Sequence, residues 1–227
     1  MKNVKRVPKP AILIEKEAKW TKELMDAVAE YKSTGKPVPP TLIERYRKDE
    51  IKDALKRMYS DEDNNNFCCY CEAKIDVVDY PHIEHRKPKD PDLFPEDAFN
   101  WDNLHLTCTK CNTSKSNKWD QVNPILCAVE DNPVNDHLTY DSDLTGVYRS
   151  PCSPRGRTTI DHADLNRKTL LRARLILYHD ILKLIEKIVC LKNDPRTYTP
   201  KEILKNRAKG EYGSLINWSR EKWGIID

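Results

Sequence analysis

"WDNLHLTCTKCNTSKSNKW", residues 101–119, decides how the rest of the chain is read. It begins with a short β-prone piece, Leu104 to Cys108, and passes at once into Cys108-x-x-Cys111 and a polar tail. Two cysteines at that spacing form a chelate pair, able to put two thiolates on one tetrahedral ion from a tight knuckle. Upstream stands a second pair, Cys68-x-x-Cys71. Both pairs fall in one small, polar segment, so a four-cysteine zinc site is expected rather than four buried hydrophobes. Four thiolates leave the ion no open position for water or substrate, which makes the zinc structural. Cys69 would break the spacing and is read as a non-ligand.

The two knuckles stand further apart than in a compact zinc ribbon, so something is inserted between them. The insertion contains "YPHIEHRKPKD", residues 80–90. On an extended strand His82 shares a face with Glu84, so it could touch whatever Glu84 holds; a supporting or surface histidine is the expectation. His105 alternates with Leu104 and Leu106 and is expected to point away from the small core, in a structural role. Trp101 and Trp119 bracket the second half of the segment and are read as its core. His137, His162 and His179 have no partners at ligand spacing.

Of the 227 residues 33% are charged and 38% hydrophobic, which excludes wholesale disorder but predicts modest cores. Three Phe against ten Tyr and five Trp point the same way. A net charge of +3 gives no argument for nucleic-acid binding, which must come from local patches; the first nine residues, "MKNVKRVPK", are one. "AILI" at 11–14 is too short for a signal sequence, and no run reaches the ~18 apolar residues that span a bilayer. The expectation is a soluble intracellular protein whose thiols stay reduced, with no membrane partner. Cys127, Cys152 and Cys190 are scattered.

Three regions emerge. Residues 1–60 read as helical: Trp20, Leu24, Val28 and Tyr31 recur at helical spacing until "STGKPVPP" stops them. Thr41 with Glu44 then makes a capping box before a stripe of Ile51, Ala54, Leu55, Met58 and Tyr59. "SDEDNNN" ends that helix, and residues 61–120 form the cysteine-bearing module, with β-prone pieces "KIDVV", "PHIEH" and "LHLTC". Residues 121–227 begin as an irregular connector ("VNPIL", "DNPVNDHL", "SPCSPRGR") and become helical from Asp164 to Lys192. "NDPRTYTP" ends that helix, Thr199-Pro200 opens a short one, and "SLINWSREKWGII" closes the chain. The fold class is mainly α, with a helical N-terminal arm and a helical C-terminal region around a small zinc-stabilised module.

With Glu84-His85, "WDNLHLTC" and "CNTSK" framed by two Cys-x-x-Cys pairs, the module resembles the HNH endonucleases, the ββα-metal or His-Me finger superfamily. That resemblance implies Glu84 as the acidic metal ligand, His85 as general base, Asn103 as the asparagine that pins the loop, and Asn112 as the helix-borne ligand. Glu84 stands where many relatives have Asp, and Asn112 where the family name expects His. The chemistry agrees. Phosphodiester hydrolysis needs an activated water and a charge-stabilising cation. One carboxylate and one amide oxygen suit Mg²⁺ or Mn²⁺ and leave most of its coordination sphere open. His85 stays a free base of intrinsic pKa about 6.5, and Asn103 has both donor and acceptor to bridge backbone across a loop. Lys110, Lys115 and Lys118 are expected on the helix of Asn112, with Arg86, Lys87 and Lys89 just past the base. Arg86, Lys87 and Lys115 are the candidate phosphate contacts, against the alternative of a solvated charged face.

"VNPIL", "DNPVNDHL" and "RGRTTIDHADLNRKTLLRAR" resemble the C-terminal half of the HNH subunits of Septu-type anti-phage defence systems. That likeness implies a cytoplasmic bacterial nuclease acting on DNA beside an ATPase subunit of the ABC/SMC kind. An RNA- or tRNA-cleaving nuclease, and a non-catalytic zinc module that binds nucleic acid or protein, are the alternatives.

Overall fold

The computed structural model describes residues 1–75, 80–131, 136–141, 148–150, 152–190 and 198–225. Helix α1 (Ala11–Thr34) begins directly after Pro10 and buries Leu13, Trp20, Leu24 and Val28 along one stripe. It ends at Gly35, whose φ of 76° lets its N–H close on Tyr31 O. The helix expected from Thr41 to Tyr59 is instead two. Helix α2 (Pro40–Ile43) runs into a 3₁₀ turn (Glu44–Arg47), Lys48 is extended (ψ 139°), and α3 (Asp49–Met58) restarts beyond it. The Thr41/Glu44 capping box does not form, because Pro40 at the first helical position places Thr41 inside the helix. Asp49 and Glu50 in its first turn and Lys56 and Arg57 in its last favour α3 through the helix dipole.

Strands β1 (His82–His85) and β2 (Leu104–Thr107) pair antiparallel, with Glu84 opposite His105 and His85 opposite Leu104. Helix α4 (Thr109–Lys115) follows β2 directly, completing the expected ββα arrangement. Cys108 caps it, its sulfur accepting from Cys111 N. Ser116, at φ 45°, stops it, so Lys118 lies beyond the helix rather than on it as expected. Of "KIDVV", Lys74 bridges Phe67, and residues 76–79 lie outside the described residues.

In the connector, β3 (Thr139–Tyr140) pairs with β4 (Tyr148–Arg149), and α5 (Pro154–His162) starts where Ser153 Oγ accepts from Gly156 N. The Asp131 carboxylate takes two bonds from Arg155, tying the connector to α5. A turn at Asp164 (φ 48°) separates α5 from α6 (Lys168–Cys190), which therefore starts after the expected Asp164. Helices α7 (Tyr198–Arg207) and α8 (Gly213–Lys222) complete the chain. "DNPVNDHL" and "NDPRTYTP" fall partly outside the described residues.

One hydrophobic cluster draws on all three regions: Trp20, Leu24 and Leu55, then Tyr70, Leu104 and Leu106, then Leu126, Leu165, Tyr178 and Leu215. A smaller one joins Ile181, Ile185, Leu204 and Ile216 of the last three helices. The β-sheet thus gains from its neighbours the burial that a two-stranded sheet cannot supply alone. The N-terminal residues are a strap across the module: Val4 N bonds Ala128 O, Arg6 donates to Leu104 O and Asp102 O, and Trp101 Nε1 donates to Val7 O. Lys2 donates to Lys209 O. The basic patch read at residues 1–9 therefore gives Lys2 and Arg6 to carbonyls of the protein itself. No described helix is long and apolar enough to cross a membrane.

Candidate functional site

The four expected cysteines come together. The sulfurs of Cys68, Cys71, Cys108 and Cys111 are buried within 4.8 Å of one another. Zinc–sulfur bonds of about 2.3 Å in a tetrahedron place sulfurs about 3.8 Å apart; the Cys71 and Cys108 sulfurs are 3.8 Å apart. The residues fit a four-cysteine zinc. Cys69 stays out of the cluster, its N–H fastening the first knuckle to Leu106 O (2.8 Å), and burial pushes its thiol pKa well up. Arg167, between α5 and α6, donates to Cys111 Sγ at 3.4 Å. Burial alone would lower its pKa, but the Cys111 and Cys71 sulfurs hold it above the ordinary arginine value. A zinc bound by four thiolates would carry net negative charge, which this guanidinium would offset.

Glu84 and His85 end β1 in buried positions, 3% and 5% exposed. Glu84 Oε1 lies 2.7 Å from Lys115 Nζ and accepts from Tyr70 OH at 3.3 Å. Burial raises the Glu84 pKa, outweighing the pull of Lys115 in the other direction. His85 Nε2 lies 3.0 Å from Ala98 O. A carbonyl only accepts, so Nε2 carries the ring proton and Nδ1 keeps the lone pair. Burial, then Lys89, holds the His85 pKa well below the ordinary histidine value, so the ring is neutral at pH 7. The ring of Tyr46, from the 3₁₀ turn, packs perpendicular to the His85 ring with centroids 4.5 Å apart.

Asn103 bridges the loop after β1 at three points: Oδ1 accepts from Lys87 N (2.7 Å), and Nδ2 donates to Lys87 O and Asp97 O (both 3.0 Å). Its carbonyl accepts from Arg86 N at 3.0 Å. The loop so closed carries Ala98, the acceptor for His85. Asn112, on α4, lines one groove of about 700 Å³ together with His82, Glu84 and His85, a volume within the range of ligand sites. His82 Nε2 contacts Thr109 Oγ1 at 2.9 Å, which ties β1 to α4.

The expected phosphate contacts lie elsewhere. Lys115 is fully buried, its Nζ bonded to Glu84 and to His85 O (2.8 Å), so it faces no solvent. Arg86 donates to Ile125 O and reaches Glu130, and Lys87 pairs with Asp97 at 2.8 Å. Of the expected cations, Lys89 alone lines the groove. Sequence reasoning missed Arg47 and Lys52, which line it from the N-terminal region. The signal was present in the cations Arg47 and Lys52 off the apolar stripe of residues 51–58, but nothing in the sequence marked the break at Lys48 between them. His105 does not point away from the core. It is 2% exposed, with Nδ1 2.6 Å from Tyr59 OH and Nε2 near Cys127, because α3 and the connector cover that face of β2. His137 contacts Ser153, and His179 is exposed on α6.

Residues 68–118 match the family described as HNH endonuclease. The chain is 30% identical over 191 residues, 83% of its length, to the Septu protein PtuB of Bacillus thuringiensis, and 28% identical over 169 residues to the Septu protein PtuB of Bacillus mycoides (strain KBAB4). It spans 64% and 54% of the lengths of those two proteins. Residues 68–118 are thus an HNH module, built on a cysteine cluster that suits zinc, in a chain similar to the Septu proteins PtuB.

Proposed function

We propose that this chain is a metal-dependent endonuclease that hydrolyses DNA phosphodiester bonds in the bacterial cytoplasm, as the nuclease subunit of an anti-phage defence complex with an ATPase partner. The observation that carries the reading is His85: a neutral imidazole locked by Ala98 O in the tautomer whose Nδ1 accepts a proton, beside a buried carboxylate and an amide in one groove. His85 removes the proton of the attacking water, and the Asn103-closed loop keeps the ring in place while it does so. Glu84 and Asn112 would hold Mg²⁺ or Mn²⁺ through their side-chain oxygens, and the ion would supply charge stabilisation at the phosphate. His82 supports the site through Thr109. The likeness to the Septu proteins PtuB supports the defence role and the partner.

The test is cleavage of plasmid, linear DNA and RNA with Mg²⁺ or Mn²⁺, by the chain alone and with the co-purified neighbouring subunit. His85→Ala is expected to lower DNA cleavage by about 10²–10⁴ with zinc content unchanged. Wild-type rates in that variant refute the mechanism, and RNA cleavage without DNA cleavage refutes the substrate.

A further inference from the structure

Most cations near the groove already have partners within the protein. Arg86, Lys87 and Lys115 are bonded to Ile125 O, Asp97 and Glu84 respectively. Three others line the groove itself: Arg47, Lys52 and Lys89. Lys52 makes no ion pair among the described residues. Lys89 contacts the face of Tyr46, 5.1 Å from its centroid. Arg47 is 62% exposed along its side chain; it meets Glu44 at 2.9 Å, an exposed pair worth little, and its Nε donates to Tyr46 OH at 3.3 Å. Opposing them in the groove are Asp49 and Glu84, and Glu84 is already matched by Lys115.

Two of these cations belong to the segment Tyr46–Lys52, outside residues 68–118 that match the HNH family. The extended Lys48 delivers them: it swings the 3₁₀ turn so that Tyr46 buries against His85 while Arg47 and Lys52 flank it on the open side. The 3₁₀ turn and α3 thereby form the wall of the groove facing α4 and β1.

We propose that Arg47 and Lys52, with Lys89, form a phosphate-binding wall that holds the DNA backbone across the groove, so that the helical arm supplies substrate binding to the module. The cations contact phosphates rather than bases, and binding is insensitive to sequence. The inference takes its ligand from the nuclease reading above, but its own test does not require cleavage.

The test uses full-length protein carrying His85→Ala, so that the probe stays intact, in magnesium-free buffer. The affinity of a short fluorescein-labelled DNA duplex is read by anisotropy across a salt series. Arg47→Gln/Lys52→Gln is expected to flatten the slope of log affinity against log salt by about 2, one unit for each lost phosphate contact. The control Arg172→Gln/Lys201→Gln, exposed on α6 and α7, is expected to leave it unchanged. Zinc content and melting temperature confirm that both variants fold. A slope in Arg47→Gln/Lys52→Gln equal to that of its parent, or an equal loss in the control, overturns the inference. Cleavage by wild type with no slope change sinks the wall and leaves the nuclease standing; a slope change without any cleavage does the reverse.

Discussion

Lys115→Met tests the most exacting arrangement in the site. The Lys115 side chain is 1% exposed and the Glu84 side chain 4%, with 2.7 Å between nitrogen and oxygen. At that separation and an effective dielectric near 20 the two charges attract by about 6 kcal/mol. Burial nevertheless raises the Glu84 pKa, so desolvation of the carboxylate is the larger effect and the pair adds little net stability. Breaking it is another matter, because methionine fills the space and leaves a buried, unmatched carboxylate. The cost is expected to be about 3–5 kcal/mol, or a melting temperature lower by roughly 6–20 °C for a chain of this size. Glu84→Gln/Lys115→Met removes both charges and is expected to recover at least about 2 kcal/mol of that loss. The assay is urea unfolding of zinc-loaded protein without magnesium, for both variants and each single change. Acid should shrink the single-variant defect, since the raised Glu84 pKa favours the protonated, uncharged carboxyl as pH falls. A Lys115→Met cost below about 1 kcal/mol, or no recovery in the double variant, refutes the reasoning.

Asn103→Ala leaves Lys87 N, Lys87 O and Asp97 O without their partner and should cost about 2–4 kcal/mol in urea unfolding, with cleavage lost through a displaced His85. Arg167→Gln removes the cation against Cys111 and should speed zinc loss to a chromophoric chelator without changing the stoichiometry of one zinc site. Asp131 supplies the pH test. Burial raises its pKa, but two bonds from Arg155 and one from Cys127 N bring it below the ordinary aspartate value. A depressed carboxylate gives stability that is present above about pH 4 and lost as pH falls further. Asp131→Asn should therefore be less stable than wild type at neutral pH, with a difference that narrows below about pH 4 in an acid-unfolding series.

The grouping of the candidate site's residues was legible because it is local. Cys-x-x-Cys twice, and Glu84-His85 one strand away from Asn103, are spacings that a knuckle and a hairpin preserve whatever surrounds them. What the sequence hid is what the surroundings do to each side chain. Lys115 and Lys89 are the same residue type near the same histidine, His85, yet one is sealed beside Glu84 and the other lines the groove. No periodicity distinguishes them, since Lys115 turns in to Glu84 and His85 O while Lys89 lies over the ring of Tyr46. The same holds for His105, whose alternation with Leu104 and Leu106 read as an outward face until α3 covered it. The error has one physical source: the face of β2 that carries His105 is closed by Tyr59 at the end of α3 and by Cys127 of the connector, so the whole strand is buried. Residues that look peripheral in a minimal ββα module become interior when a helical arm is added, and the groove then takes cations from the arm as well as from the loop after β1. Arg47 and Lys52 line that groove beside Lys89, which is why the proposed phosphate wall lies partly on the arm.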